Sequence, residues 1–331
     1  MLRDPSERGR VSAAPWDQRP ERGSRLGIGI ISWLFLHGAK RAARALLWPV
    51  AGYFWATGRQ ARRGSLAYLR RIRASGGLQS APGLRHVFLH ELEFSRCILD
   101  RVGFWLGDSG SFQLRLVGNE HLVRANSAQR GLLVLGSHLG SFDAIRLVAL
   151  AQAPLRVSVL MYTTHAARIN DALGQDQRDD ASRVRVIPIR PGSLAHVIAA
   201  RECIRRGEVV ALLADRASPG TADAHSLPIR FLGATAWLSD GPMRLAAALG
   251  CPVVFMTGLR SGTDSYEIHV EPLADCVTLP RDGREEALRS YLQRYADVLA
   301  RYCLLAPYQW FNFFDFWEPP PGAREQAASG L

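Results

Sequence analysis

Lysine is almost absent: Lys40 is the only one in 331 residues, and arginine carries the rest of the positive charge. P-loop chemistry is therefore excluded, because no GxxxxGK[ST] run can be written here. No GxGxxG follows an apolar run, which argues against a dinucleotide site. The GxSxG elbow of an α/β hydrolase is missing too. The five cysteines (97, 203, 251, 276 and 303) are odd in number, scattered, and free of CxxC or other metal spacing. They fit free thiols in a reducing compartment, as small core residues, and give no support to a disulfide framework or a zinc site. His/Asp clusters at i, i+4 spacing are also lacking, so neither a metal nor a resident cofactor is expected.

What is present divides sharply by charge. Residues 1–73 hold 15 Lys/Arg against 4 Asp/Glu, which accounts for the whole net charge of +11; the remainder is neutral. With 47% hydrophobic residues, the chain has ample material for a large core. The pattern is a basic arm in front of an ordinary globular domain.

Residues 1–25, rich in Arg, Pro, Ser and Gly, read as a disordered basic tail without the layout of a secretory signal. Two apolar segments follow, 26–37 and 45–58, separated by Lys40, Arg41 and Arg44. Each is shorter than the roughly 20 apolar residues that span a bilayer. Joined as one helix they would carry three cations at mid-depth and a kink at Pro49. Trp33, Trp48, Tyr53 and Trp55 favour the headgroup region. Residues 59–73 continue as a basic amphipathic helix. The expectation over 26–73 is interfacial helices with their apolar faces in lipid and arginines on anionic headgroups. A solvated basic face or a nucleic-acid patch is the alternative. Against nucleic acid, the neighbouring runs are apolar and no helix-turn-helix, RRM or zinc pattern follows.

Apolar spacing predicts a helix over 84–107. Beyond it the chain alternates. Strands are expected at 112–117, 131–135, 156–161, 184–189, 209–214, 229–232, 253–258 and 266–271. Helices are expected at 119–126, 141–152, 165–174, 193–206, 238–249 and 284–303. This alternation predicts an α/β domain, 74–318, with a largely parallel mixed central sheet flanked by helices, and a disordered tail at 319–331.

The stretch Gly131-Leu-Leu-Val-Leu-Gly-Ser-His138-Leu-Gly-Ser-Phe-Asp143 stands out. A buried strand delivers His138 to its carboxyl lip, where sites gather in such sheets. Gly140 then turns the backbone, Ser141 is a plausible N-cap, and Asp143 falls in the first helical turn. An imidazole titrating near neutrality can take a proton from a hydroxyl or amine, with a carboxylate fixing its tautomer. Backbone amides near 140–142 are candidate oxyanion donors. The other histidines are isolated and read as surface or satisfied core residues.

Two further stretches end on polar or aromatic groups. Ala211-Leu-Leu-Ala-Asp215-Arg216 places an acid and a guanidinium at the end of another buried strand. The guanidinium could hold a phosphate bidentately; a surface ion pair is the alternative. Pro307-Tyr-Gln-Trp-Phe-Asn-Phe-Phe-Asp-Phe-Trp317 is dense in aromatics. It fits an acyl-chain lining, a membrane contact, or core packed over the sheet.

Five landmarks in this order carry a family resemblance: His138-Leu-Gly-Ser-Phe-Asp143, Leu160-Met-Tyr162, Leu213-Ala-Asp-Arg216, Arg230-Phe-Leu-Gly233 and Trp310-Phe-Asn-Phe-Phe-Asp-Phe-Trp317. The HxxxxD pattern resembles the lysophospholipid acyltransferase superfamily. The whole set is similar to its bacterial lipid A biosynthesis branch, the lauroyl and myristoyl transferases, over residues 23–318. The resemblance implies a membrane-associated enzyme at the cytoplasmic face of a bacterial inner membrane. It would move an acyl chain from a thioester, of acyl-carrier protein or coenzyme A, to a hydroxyl or amine of a glycolipid or other lipid. It implies His138 as base and Asp143 as its partner, with Gly140, Ser141, Arg168, Asp215, Arg216, Phe231 and Gly233 around the substrates. Anionic membrane lipids and acyl-carrier protein are the expected partners, and nucleic acid is not. Two departures stand out: Asp143 replaces the branch's usual glutamate, and His165 replaces a frequent asparagine. A non-catalytic lipid-binding scaffold of the same fold and a thioester hydrolase are the competing functions.

Overall fold

The computed structural model describes residues 40–105, 108–127, 130–152, 156–162, 184–190, 192–216 and 225–319. The expected tail at 1–25, that at 319–331 apart from Pro319, the apolar segment 26–37, and the helix 165–174 with His165 and Arg168 lie outside the described residues.

Among the described residues, three helices come first: α1 (Lys40–Thr57), α2 (Arg59–Ala74) and α3 (Leu84–Trp105). The alternating part follows as β1 (Gln113–Val117), α4 (Asn119–Ser127), β2 (Leu132–Gly136), α5 (Phe142–Gln152), β3 (Val157–Tyr162) and β4 (Val184–Ile189). It continues through α6 (Ala195–Arg205), β5 (Val209–Leu213), β6 (Ser226–Phe231), β7 (Ala234–Ser239) and α7 (Gly241–Leu249). It closes with β8 (Val253–Arg260), β9 (Ser265–Ala274) and α8 (Arg284–Leu305).

Seven strands form one sheet in the order β1-β9-β8-β2-β5-β3-β4. The pairings are parallel except β8 with β9, so the expected mixed, largely parallel sheet is the one observed. β2 lies in the middle and is buried throughout. Its alternate side chains feed opposite faces: Leu133 and Leu135 join one core cluster, Leu132 and Val134 the other. A continuous apolar run with no polar face is the signature of such a two-sided strand.

The remaining strands, β6 and β7, form a separate antiparallel hairpin. Sequence reading placed a strand at 229–232 and carried the chain from there into a helix at 238. The structure instead turns at Leu232 and Gly233, both with positive φ, and runs back as β7 to Ser239. Positive φ at two successive turn residues is the geometry that hairpins favour. Ala234 and Ala236 gave β7 little strand signature.

The N-terminal helices place part of their apolar surface against the rest of the protein. In α1, Ala43, Leu47 and Ala51 pack with Leu92 and Leu99 of α3. In α2, Tyr68, Leu69 and Ile72 enter the main core. Gly64 of α2 approaches the C-terminal segment so closely that a Cβ there would stand 2.6 Å from the backbone nitrogen of Phe314. A basic amphipathic helix needs an apolar environment for one face, and here protein supplies it. Among the described residues, no helix is long and apolar enough to cross a membrane.

Candidate active site

The register of two parallel neighbours builds the site. Gly136 of β2 pairs with Leu213 of β5, and the Ala214 amide donates to the Gly136 carbonyl at 3.0 Å. Two residues further along each strand come His138 and Asp215, side by side at the carboxyl edge of the sheet. His138 Nδ1 lies 2.8 Å from Asp215 Oδ1, and the His138 backbone N–H donates to Oδ2 at 3.0 Å. The Asp215 side chain is fully buried, whereas the His138 side chain remains 27% exposed. With Nδ1 facing a carboxylate, the proton belongs on Nδ1, and Nε2 is left as the basic nitrogen.

The C-terminal aromatic segment encloses this pair. Residues 138–140 run antiparallel to 309–311: Phe311 N–H donates to the His138 carbonyl, and Gly140 N–H to the Gln309 carbonyl, both at 2.8 Å. Trp310 Nε1 donates to Asp215 Oδ2 at 3.0 Å, and Asn312 Nδ2 to the same oxygen at 3.1 Å. Arg216 Nε in turn donates to Asn312 Oδ1 at 2.7 Å, and its second nitrogen to the Phe311 carbonyl at 3.0 Å. Of the three readings open for this segment, core packing is the one found. Trp310 is fully buried against Tyr68, Phe231 and Phe316, and Trp317 stacks on Phe231.

Charge follows from these contacts. Burial alone would raise the Asp215 carboxyl, but the charge of His138, its hydrogen bonds and nearby Arg216 outweigh it and hold the group well below the usual range. Burial also lowers His138, helped by Arg216 and Arg101 and opposed by Asp215, so the imidazole stays neutral at physiological pH. Arg216 is pushed down to about 10 by burial, with Asp215 opposing.

The predicted site residues divide. His138, Asp215 and Arg216 come together in one hydrogen-bonded network. Asp143 was expected on the imidazole, but the carboxylate on Nδ1 is Asp215, and Asp143 Oδ2 accepts from Arg101 Nε at 2.6 Å. That ion pair joins α5 to α3. Gly140 has φ +70° and would bring a Cβ to 2.1 Å from the Gly258 carbonyl oxygen, so only glycine fits. Ser141 caps α5 as expected, its Oγ accepting from Ala144 N–H at 3.3 Å. The amides of 140 and 141 are not open to an oxyanion, because they donate to the carbonyls of Gln309 and Gly258. This corrects the expectation for that pair; the loop is pinned between β8 and the C-terminal segment.

Phe231 is a buried ring of the aromatic core, and Gly233 forms the hairpin turn. The expected phosphate binder, Arg216, spends two donors inward on Asn312 and Phe311. Trp310 and Asn312 were missed as partners of the site. Their signal was present but shared: Gln309, Trp310, Asn312 and Trp317 all carry side-chain N–H groups to place within this aromatic run. Among the described residues, no group of three or more His, Cys, Asp or Glu side chains converges as a metal site would.

Comparison with known proteins bears on what this geometry serves. No curated protein matches the chain. The family described as bacterial lipid A biosynthesis acyltransferase matches over residues 99–318, two thirds of the chain, and this span carries every strand of the sheet together with His138, Asp215, Trp310 and Asn312. The chain thus belongs to the bacterial lipid A biosynthesis acyltransferase family.

Proposed function

We propose that this protein transfers an acyl chain from a thioester to a hydroxyl or amine of a lipid acceptor, with His138 as general base. The observation that carries the reading is the His138–Asp215 pair at the carboxyl edge of the sheet, within a chain of an acyltransferase family. Nε2 takes the acceptor proton while Asp215 holds Nδ1–H and stabilises the imidazolium. The acceptor oxygen or nitrogen then bonds to the thioester carbonyl carbon, and the C–S bond breaks. The imidazolium returns its proton to the departing thiolate. No covalent enzyme intermediate is required. The donor is acyl-carrier protein or coenzyme A. Asp143, tied to Arg101, anchors the start of α5 beside the base.

The work takes place at the cytoplasmic face of the bacterial inner membrane. Trp48 and Tyr53 of α1 are more than half exposed, and Arg41, Arg59, Arg63, Arg70 and Arg73 are exposed on α1 and α2. Such a pairing of interfacial aromatics with cations suits an anionic lipid surface.

The test supplies purified protein with an acyl-carrier thioester and a bacterial membrane lipid extract, and follows products by mass spectrometry. An acylated lipid is expected, lost in His138→Ala. Free fatty acid in place of an acylated lipid would indicate a hydrolase. Lipid binding without turnover would indicate a scaffold.

A further inference from the structure

Asp215 accepts four hydrogen bonds, and they are unevenly shared. Oδ1 faces His138 Nδ1, whereas Oδ2 collects the His138 backbone amide, Trp310 Nε1 and Asn312 Nδ2. Both outer donors are themselves held. Asn312 is fixed by Arg216 through its amide oxygen. Trp310 is fixed through its carbonyl, which lies 2.9 Å from His90 Nε2, while His90 Nδ1 lies 2.8 Å from Ser65 Oγ. Burial, against the Trp310 carbonyl bond, pushes His90 down to about 4, so the ring is neutral; Nε2 donates to Trp310 and Nδ1 accepts from the serine hydroxyl. Ser65 belongs to α2 and His90 to α3, so the relay runs from the N-terminal helices to the base.

From this arrangement we infer that Trp310 and Asn312 are positioning residues, which hold Asp215 Oδ2 so that Oδ1 alone faces the imidazole and sets its tautomer and basicity. The inference rests on His138 acting as the base. Two donors on one oxygen do two things. They prevent the carboxylate from rotating about χ2, and they draw charge from it, tempering how strongly it stabilises the imidazolium. Removing one donor leaves more charge facing Nδ1 and raises the proton affinity of His138. Among the described residues, the other charged or titratable groups acting on the pair are Arg216, Arg101, Tyr295 and Cys303. Tyr295 and Cys303 are driven well above their ordinary values by burial and stay neutral, so among the described residues Arg216, Arg101 and Asp215 are the charges acting on the ring.

Asn312→Leu removes a donor at similar volume; Trp310→Phe removes the other while keeping a ring in the aromatic cage. The imidazole of His138, assigned by its loss in His138→Gln, is titrated by NMR in the intact protein, which needs no knowledge of the substrates. We expect its midpoint to rise by roughly one unit in Asn312→Leu, and likewise in Trp310→Phe. Turnover, where an acyl thioester is accepted, should fall through kcat by up to about a hundred-fold, with KM little changed. An unchanged midpoint in a folded variant of either kind overturns the inference, since lost packing alone lowers thermal stability without moving that titration. Failure of the acyltransferase reading would look different: a shifted midpoint with no acyl transfer depending on His138.

Discussion

Replacing Asp215 with asparagine changes one atom and should remove nearly all activity. The reason lies in the four donors around the carboxylate. Three of them converge on Oδ2, from His138 N, Trp310 Nε1 and Asn312 Nδ2. An asparagine therefore settles with its amide oxygen at that position, where it keeps all three bonds. Its NH2 group then replaces Oδ1, 2.8 Å from His138 Nδ1. Two donors cannot face each other, so Nδ1 becomes the acceptor and the ring proton moves to Nε2. The base is then the wrong tautomer. In a serine protease triad the same change costs about 10⁴-fold in kcat, or about 5 kcal/mol of barrier. We expect a loss of that order in acyl transfer, read as initial rates with an acyl thioester and a lipid extract. The variant should melt near the wild type, because most of the hydrogen bonds survive. Asp143→Asn, whose carboxylate is bonded to Arg101, should cost less. Activity in Asp215→Asn within tenfold of wild type would refute the tautomer argument.

Further expectations concern pH and the membrane. His138 must be neutral to act, and burial with Arg216 lowers its pKa below the usual 6.5. Activity should therefore persist through pH 6.5 and fall only as pH drops through that lowered value; an acid limb centred above 7 would contradict the electrostatics. His90 is held down at about 4, so between pH 6.5 and that value the unfolded chain takes up a proton that the folded chain refuses. Stability should fall across this window as pH is lowered, by roughly 3 kcal/mol in all. His90→Gln should flatten the dependence of melting temperature on pH there, and an identical profile would count against it. Replacing Trp48 and Tyr53 together with serine should weaken co-sedimentation with anionic vesicles while leaving the fold intact. Undiminished binding would remove α1 from the membrane contact.

Much of this architecture was readable in the chain. β2 announced itself because a two-sided central strand must be apolar at every position, and the alternation of strands and helices implied a parallel sheet. The carboxyl-edge position of His138 followed. The Asp215-Arg216 dipeptide was likewise legible at the end of another buried strand, although its hydrogen bond to His138 was not. Proximity along the chain favoured Asp143 as the partner, and five residues of separation concealed that strand register places Asp215 nearer to Nδ1. Register is a non-local property, set by pairing across seventy-seven residues of sequence. The same holds for Trp310 and Asn312, which reach the site only because the segment after α8 folds back against residues 138–140. For α1 and α2, amphipathic periodicity says that one face needs an apolar partner and is silent on whether lipid or protein provides it; protein covers Ala43, Leu47 and Ala51 of α1 and Tyr68, Leu69 and Ile72 of α2.

The central claim is acyl transfer to a lipid through His138, and it is tested most directly in cells that naturally carry the gene. Lipid mass spectrometry of a deletion strain, complemented with the wild type or with His138→Ala, reads donor and acceptor together. An acylated lipid should vanish on deletion, return with the wild-type protein, and stay absent with His138→Ala despite equal protein in the membrane fraction. Full restoration of that lipid by His138→Ala would contradict the account.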